Sequence, residues 1–85
     1  MNPKKRLRLA ILRTLKNAGD FLIPDGQLRD EIALVVRPRP VASEINEAIQ
    51  ELDAEQKILG TRDEDGEVRW KVTTAGRAYL SEAGM

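Results

Sequence analysis

The 85-residue chain has no cysteine and no histidine, and its aromatic residues are one Trp, one Tyr and one Phe. Without cysteine there is no disulfide framework, no thiol nucleophile and no thiolate metal site. Without histidine the commonest general base is missing, as are the imidazole ligands of zinc, copper and non-haem iron. Serine occurs only at Ser43 and Ser81, neither in a Gly-x-Ser-x-Gly setting, and there is no glycine-rich phosphate loop. Catalysis would have to rest on carboxylates and lysine, in a domain too small to enclose a deep pocket. The sequence argues against an enzyme and implies neither a cofactor nor a metal. No apolar run approaches the length of a membrane span and no signal peptide is visible, so the expectation is a cytoplasmic protein with no membrane partner.

Neither sign of charge is in excess: Lys plus Arg number 14 and Asp plus Glu number 14. With 41% hydrophobic and 33% charged residues the composition is that of an ordinary globular chain rather than a disordered one. The length fits a single domain over residues 1–85. Such a chain buries only roughly 60–65% of the surface its unfolded form exposes, so a partner subunit would add stability.

Leu7, Ala10, Ile11, Thr14, Leu15 and Ala18 recur at helical spacing and predict a first helix from about Pro3 to Ala18, with Gly19 at its end. Its polar positions Lys4, Lys5, Arg6, Arg8, Arg13 and Lys16 are all basic. Leu9 and Leu12 fall off the core stripe, and a second apolar face of this kind points to a partner. Phe21-Leu22-Ile23 is too short for a helix and reads as a short strand. After the turn Pro24-Asp25-Gly26, a second helix stacks Leu28, Ile32 and Val35, with Ala33 and Val36 beside them. Arg37-Pro38-Arg39-Pro40 then forms a stiff connection, because each proline removes a donor and restricts the residue before it.

A third helix, about 41–56, carries the ladder Val41, Ile45, Ala48, Ile49 and Leu52, the strongest periodicity in the chain. Val68, Trp70 and Val72 alternate with Arg69 and Lys71, and Asp65-Gly66 precedes them, so Leu59–Arg62 and Glu67–Thr73 should pair as a hairpin. Asp63-Glu64-Asp65-Gly66 offers oxygen ligands but lacks the later Glu of a calcium loop, and reads as the hairpin turn. Trp70 reads as core. Thr74 is expected to cap a last helix, Ala75 to about Ala83, whose apolar side includes Ala78 and Tyr79 or Leu80.

The order of these elements resembles the winged helix-turn-helix family, in particular small bacterial regulators of the PadR and MarR kinds. Two stretches carry the resemblance. Val41 to Leu52 followed by Lys57-Ile58-Leu59 looks like a recognition helix entering the wing. Trp70-Lys71-Val72-Thr73-Thr74-Ala75-Gly76-Arg77 looks like the strand that leads into a Thr-x-x-Gly-Arg helix. The resemblance implies an α+β, mostly helical fold with a three-helix core, a short first strand, a two-stranded wing (59–73) and a C-terminal helix. It also implies a DNA-binding transcriptional regulator whose third helix enters the major groove of double-stranded DNA. Phosphate contacts would then come from Arg37, Arg39, Arg62, Arg69 and Lys71, while Ser43, Asn46, Glu47 and Gln50 face the bases. A homodimer would form through Leu9, Leu12, Tyr79 and Leu80, because terminal helices make the dimers of related regulators.

The third helix departs from the family pattern in its charge. Between Val41 and Gln56 it carries Glu44, Glu47, Glu51, Asp53 and Glu55 and no basic residue. DNA carries one negative charge per roughly 1.7 Å of axis, so such a helix needs basic residues elsewhere to be attracted. A second reading therefore stands beside the first: a winged-helix interaction module whose acidic helix docks onto a basic protein surface. Those acids also fit the solvated face of an amphipathic helix. The basic N-terminal run from Lys4 to Arg8 reads as a solvated or frayed helix start, a phosphate-contacting arm, or a partner to the acidic helix of another subunit. Arg77 is expected to pack or pair inside the domain.

Overall fold

Asn2 opens the first helix by accepting the Lys5 N–H at 3.0 Å, and Pro3 takes the first helical position, where no N–H is needed. This helix, α1 (Pro3–Asn17), stops at Ala18, and Gly19 follows with a φ of 63°, the left-handed conformation that ends helices. The computed structural model describes residues 2–83; of the expected 1–85 domain, residues 1, 84 and 85 lie outside the described residues. After α1 come β1 (Ile23–Pro24), α2 (Asp25–Val35), α3 (Ala42–Ala54), β2 (Ile58–Arg62), β3 (Val68–Val72) and α4 (Thr74–Glu82). Among the described residues the fold is thus α+β, with four helices and one antiparallel sheet of order β1-β3-β2. No helix among them is long and apolar enough to cross a membrane.

α1 packs against α2, α3, α4 and β3 at once, and that position explains apolar residues on more than one side of it. Leu7, Leu9, Ile11, Leu12 and Leu15 are all buried, each stabilising the fold by about 1.5–3 kcal/mol. The expected outward face of Leu9 and Leu12 is corrected here: they are 2% and 0% exposed. Leu80 is corrected with them, since α4 closes over α1 and β3 and leaves it 2% exposed. Tyr79 is half-buried, with the Lys57 ammonium 4.1 Å from its ring centroid.

Leu28 and Ile32 turn from α2 into the core, but Val35 stays exposed and Val36 is buried in its place. The chain leaves the helix at Val36 in an extended conformation, which swings the next side chain inward. The α3 ladder holds at Ile45, Ala48, Ile49 and Leu52, whereas Val41 precedes the helix and is exposed. Glu44 closes the first turn of α3 by accepting the Val41 N–H at 2.9 Å.

The hairpin pairs Ile58 with Val72 and Arg62 with Val68; β2 begins one residue earlier than expected, and β3 is one residue shorter at each end. Asp63 organises its turn by accepting the N–H groups of Asp65 and Glu67, each at 2.9 Å. β1 pairs with the other edge of β3, where Pro24 costs no inner ladder bond. Its short reach leaves Phe21 exposed and outside the strand. The cap of α4 is Thr73 rather than Thr74: its hydroxyl accepts the Gly76 N–H at 3.1 Å and donates to the Gln56 carbonyl at 2.7 Å. Gly76 lies so close to the loop before β2 that a Cβ there would stand 2.1 Å from the Lys57 carbonyl oxygen.

Candidate functional site

Lys4 and Arg8 lie one turn apart on α1, and Glu47, Glu51 and Glu55 follow one another at the same spacing along α3 and just past its end. Packing α1 on α3 zips the two rows together. Lys4 meets Glu47 at 3.0 Å and Glu51 at 3.1 Å; Arg8 meets Glu51 at 3.7 Å and pairs with Glu55. Lys57 adds a further contact to Glu55 at 2.6 Å. The hydrogen bonds to Glu47 and then Glu51 raise the Lys4 ammonium above its ordinary value. The bond from Lys57, helped by the contact from Arg8 and opposed by burial, leaves the Glu55 carboxyl below its ordinary range. Water and salt screen these surface pairs, so each adds little to stability. Their larger effect is on the charge of α3, whose acidic flank is matched by cations of the same chain.

This arrangement sorts the expected α3 residues. Glu47 joins the ladder to α1. Ser43, Asn46 and Gln50 are exposed on the side away from the buried row Ile45, Ala48, Ile49 and Leu52. The exposed residues of the first two turns of α3 also include two acids, Glu44, which accepts the Val41 N–H, and Glu47 of the ladder, and Asp53 lies nearer the far end.

Behind Asn46 runs a chain of hydrogen bonds that begins in the sheet. The Trp70 indole N–H donates to Asp25 Oδ1 at 2.9 Å, Arg29 Nε donates to Asp25 Oδ2 at 2.9 Å, and Arg29 Nη2 donates to Asn46 Oδ1 at 3.2 Å. β3, α2 and α3 are joined through four side chains. Burial alone would raise the Asp25 carboxyl; the bonds from Trp70 and Arg29 outweigh it and hold the group below its ordinary range. Asn46 has one lone-pair site of its oxygen taken by Arg29 and keeps both amide N–H donors. Sequence reasoning missed Asp25 and Arg29. Their four-residue spacing at the start of a helix was the available signal.

The basic residues expected at the interface divide into free and engaged groups. Arg39 and Lys71 are exposed and make no hydrogen bond or ion pair among the described residues. Arg39 lines a shallow groove with Arg29, Ala42 and Ile45, at the start of α3. Arg37 folds back over the end of α2, donating to the Ala33 and Val36 carbonyls, each at 3.3 Å. Arg62 donates to the Gly66 carbonyl at 3.0 Å. Arg69 is drawn to the turn acids, 3.4 Å from Asp63 and 3.9 Å from Glu67. The Glu67 N–H, followed by Arg69 and the Asp65 N–H, holds the Asp63 carboxyl below its ordinary range. Arg77 is exposed and unpaired among the described residues, which corrects its expected place inside the domain.

With this geometry in hand, comparison with family models, curated proteins and solved structures yields no match for the chain.

Proposed function

We propose that this chain is a winged helix-turn-helix DNA-binding protein acting in transcriptional control, with α2 and α3 as the helix-turn-helix and the β2–β3 hairpin as the wing. The observation that carries the reading is the ladder between α1 and α3. It meets the acidic flank of α3 with Lys4 and Arg8 and leaves Ser43, Asn46 and Gln50 on the outer face. Neutral polar side chains suit the floor of a major groove, where base edges offer donors and acceptors and phosphates repel carboxylates. Arg39 before the start of α3 and Lys71 on the hairpin are free to meet phosphates, with Arg37, Arg62 and Arg69 as further donors that keep partners of their own. Asn46, anchored through its oxygen by Arg29, turns amide donors toward acceptor edges such as O6 and N7 of guanine.

Of the carboxylates that would dock a basic protein surface in the alternative reading, Glu47, Glu51 and Glu55 are paired with cations of the chain, while Glu44 caps the helix and Asp53 is exposed. The test is selection of bound sequences from a random duplex library, using the full chain. The proposal expects a short consensus that relaxes at one position in Asn46→Ala, with affinity for the preferred site falling about 5- to 100-fold. Arg39→Ala should weaken all sequences alike. Recovery of no enriched sequence by the wild-type protein would overturn the proposal.

A further inference from the structure

Of the three neutral side chains Ser43, Asn46 and Gln50 on the outer face of α3, Asn46 alone is bonded to a charged group among the described residues. A free asparagine amide sets one acceptor beside one donor, which matches the N6 amino group and N7 of adenine. Here the guanidinium of Arg29 sits on the acceptor, with Nη2 donating to Asn46 Oδ1 at 3.2 Å. Arg29 also brings donors of its own. Of its five N–H groups, one is given to Asp25 and one to Asn46, and the other three have no partner among the described residues. The edge that Asn46 and Arg29 present together is therefore made of donors beside a positive charge. An adenine N6 amino group, itself a donor, is opposed there, whereas guanine offers two acceptors, O6 and N7.

A long arginine side chain has many rotamers, and one hydrogen bond to an exposed amide does not fix it. Asp25 does, from one turn earlier on α2, by accepting from Arg29 Nε at 2.9 Å. Asp25 is fixed in turn by Trp70, whose indole N–H donates to its other oxygen at 2.9 Å. Trp70 is only 8% exposed, and its ring lies so close to the backbone of β2 that a Cβ at Gly60 would stand 2.8 Å from it. The two carboxylate oxygens thus have separate duties: one meets the immobile indole and the other aims the guanidinium. We infer that Asp25 and Arg29 determine the base preference of α3, Asp25 positioning Arg29 and Arg29 turning Asn46 from an adenine reader into a guanine reader. This inference rests on the DNA-binding reading of α3 and adds the residues outside that helix that choose the base.

The experiment has one arm without DNA and one with it, both on the full chain. In the first, nitrogen NMR relaxation of the Asn46 side-chain amide should show restrained motion in the wild-type protein and free motion in Arg29→Met and Asp25→Asn. Asp25→Asn keeps an acceptor for the indole but sets amide N–H groups against Arg29 Nε, so it releases Arg29 while the fold is retained. In the second arm, selection from random duplexes is repeated with each variant. The preference for guanine over adenine at the position relaxed by Asn46→Ala should fall about tenfold or more in both, with the rest of the consensus unchanged. A merely structural role would weaken binding to all sequences alike. An Asn46 amide as mobile in the wild-type protein as in Arg29→Met would overturn the inference without reference to DNA. Adenine at that position in the wild-type consensus, or a guanine preference kept by both variants, would overturn it and leave the DNA-binding reading intact. Recovery of no consensus by the wild-type protein would remove both.

Discussion

Removing the Asp25 carboxylate tests the side-chain chain that joins the sheet to α2 and α3. In Asp25→Ala the indole N–H of Trp70, on a residue only 8% exposed, loses an ionised acceptor at 2.9 Å. A hydrogen bond to a charged group contributes about 1.5–3 kcal/mol, and a buried donor left without a partner keeps its desolvation cost. The pair with Arg29, at 2.9 Å and part-exposed, adds about 0.3–0.5 kcal/mol. The expected loss is therefore about 2–3 kcal/mol, out of a total of about 4–13 kcal/mol for a chain of this length. It corresponds to a fall of about 10–15 °C in melting temperature. Asp25→Asn retains an oxygen that accepts from the indole, and should lose only about 1 kcal/mol. Urea unfolding followed by fluorescence is a direct assay, because Trp70 is the only tryptophan. The pH dependence supplies a second readout. The Asp25 carboxyl lies lower in the folded chain than in the unfolded one, so its contribution is present above the ordinary carboxylate range and is lost as pH falls through the depressed folded value. Asp25→Asn should flatten that part of the acid limb. A loss below about 0.5 kcal/mol in Asp25→Ala, with an unchanged acid limb, would refute the reasoning.

Two further substitutions probe the packing. Gly76→Ala should destabilise by about 2 kcal/mol although alanine is the better helix former, because the added methyl would meet the Lys57 carbonyl at 2.1 Å and a Val72 methyl at 2.8 Å; thermal melting decides the sign. Leu12→Ala, at a fully buried position of the central helix, should cost about 3–5 kcal/mol in urea unfolding at any protein concentration. A change in oligomeric state with unaltered stability would instead restore Leu12 to a surface role.

Much of the architecture can be read from periodicity alone. The row Ile45, Ala48, Ile49 and Leu52 and the alternation Val68, Trp70 and Val72 each have one core to face, and both are buried as their spacing implies, with Val68 only half so. α1 misleads because it has several neighbours: Leu9 and Leu12 look like a spare face until α2, α4 and the sheet enclose the helix. At the ends of α2 and α3, Val35 and Val41 fall out of their ladders because the chain turns there, and a fixed helical period does not register the turn. The candidate site was harder still. Ser43, Asn46 and Gln50 stand out by position, but their setting depends on contacts distant in sequence. Lys4 and Arg8 reach Glu47, Glu51 and Glu55 more than forty positions away, and Trp70 reaches Asp25 across 45. Matching four-residue spacings on two helices were visible, whereas the packing that joins them is a property of the whole fold.

DNA binding by an electrically neutral chain with an acidic third helix requires that α1 compensate the acidic flank and that the unpaired Arg39 and Lys71 meet phosphates. The most direct measurement is fluorescence anisotropy of a labelled random-sequence duplex titrated with the full chain at about 50 mM and about 200 mM salt. The account predicts binding at the lower salt that falls by about tenfold or more at the higher, with a shallower salt slope in Arg39→Ala and in Lys71→Ala. Absence of binding at about 50 mM salt, or an affinity indifferent to salt and to both substitutions, would contradict it.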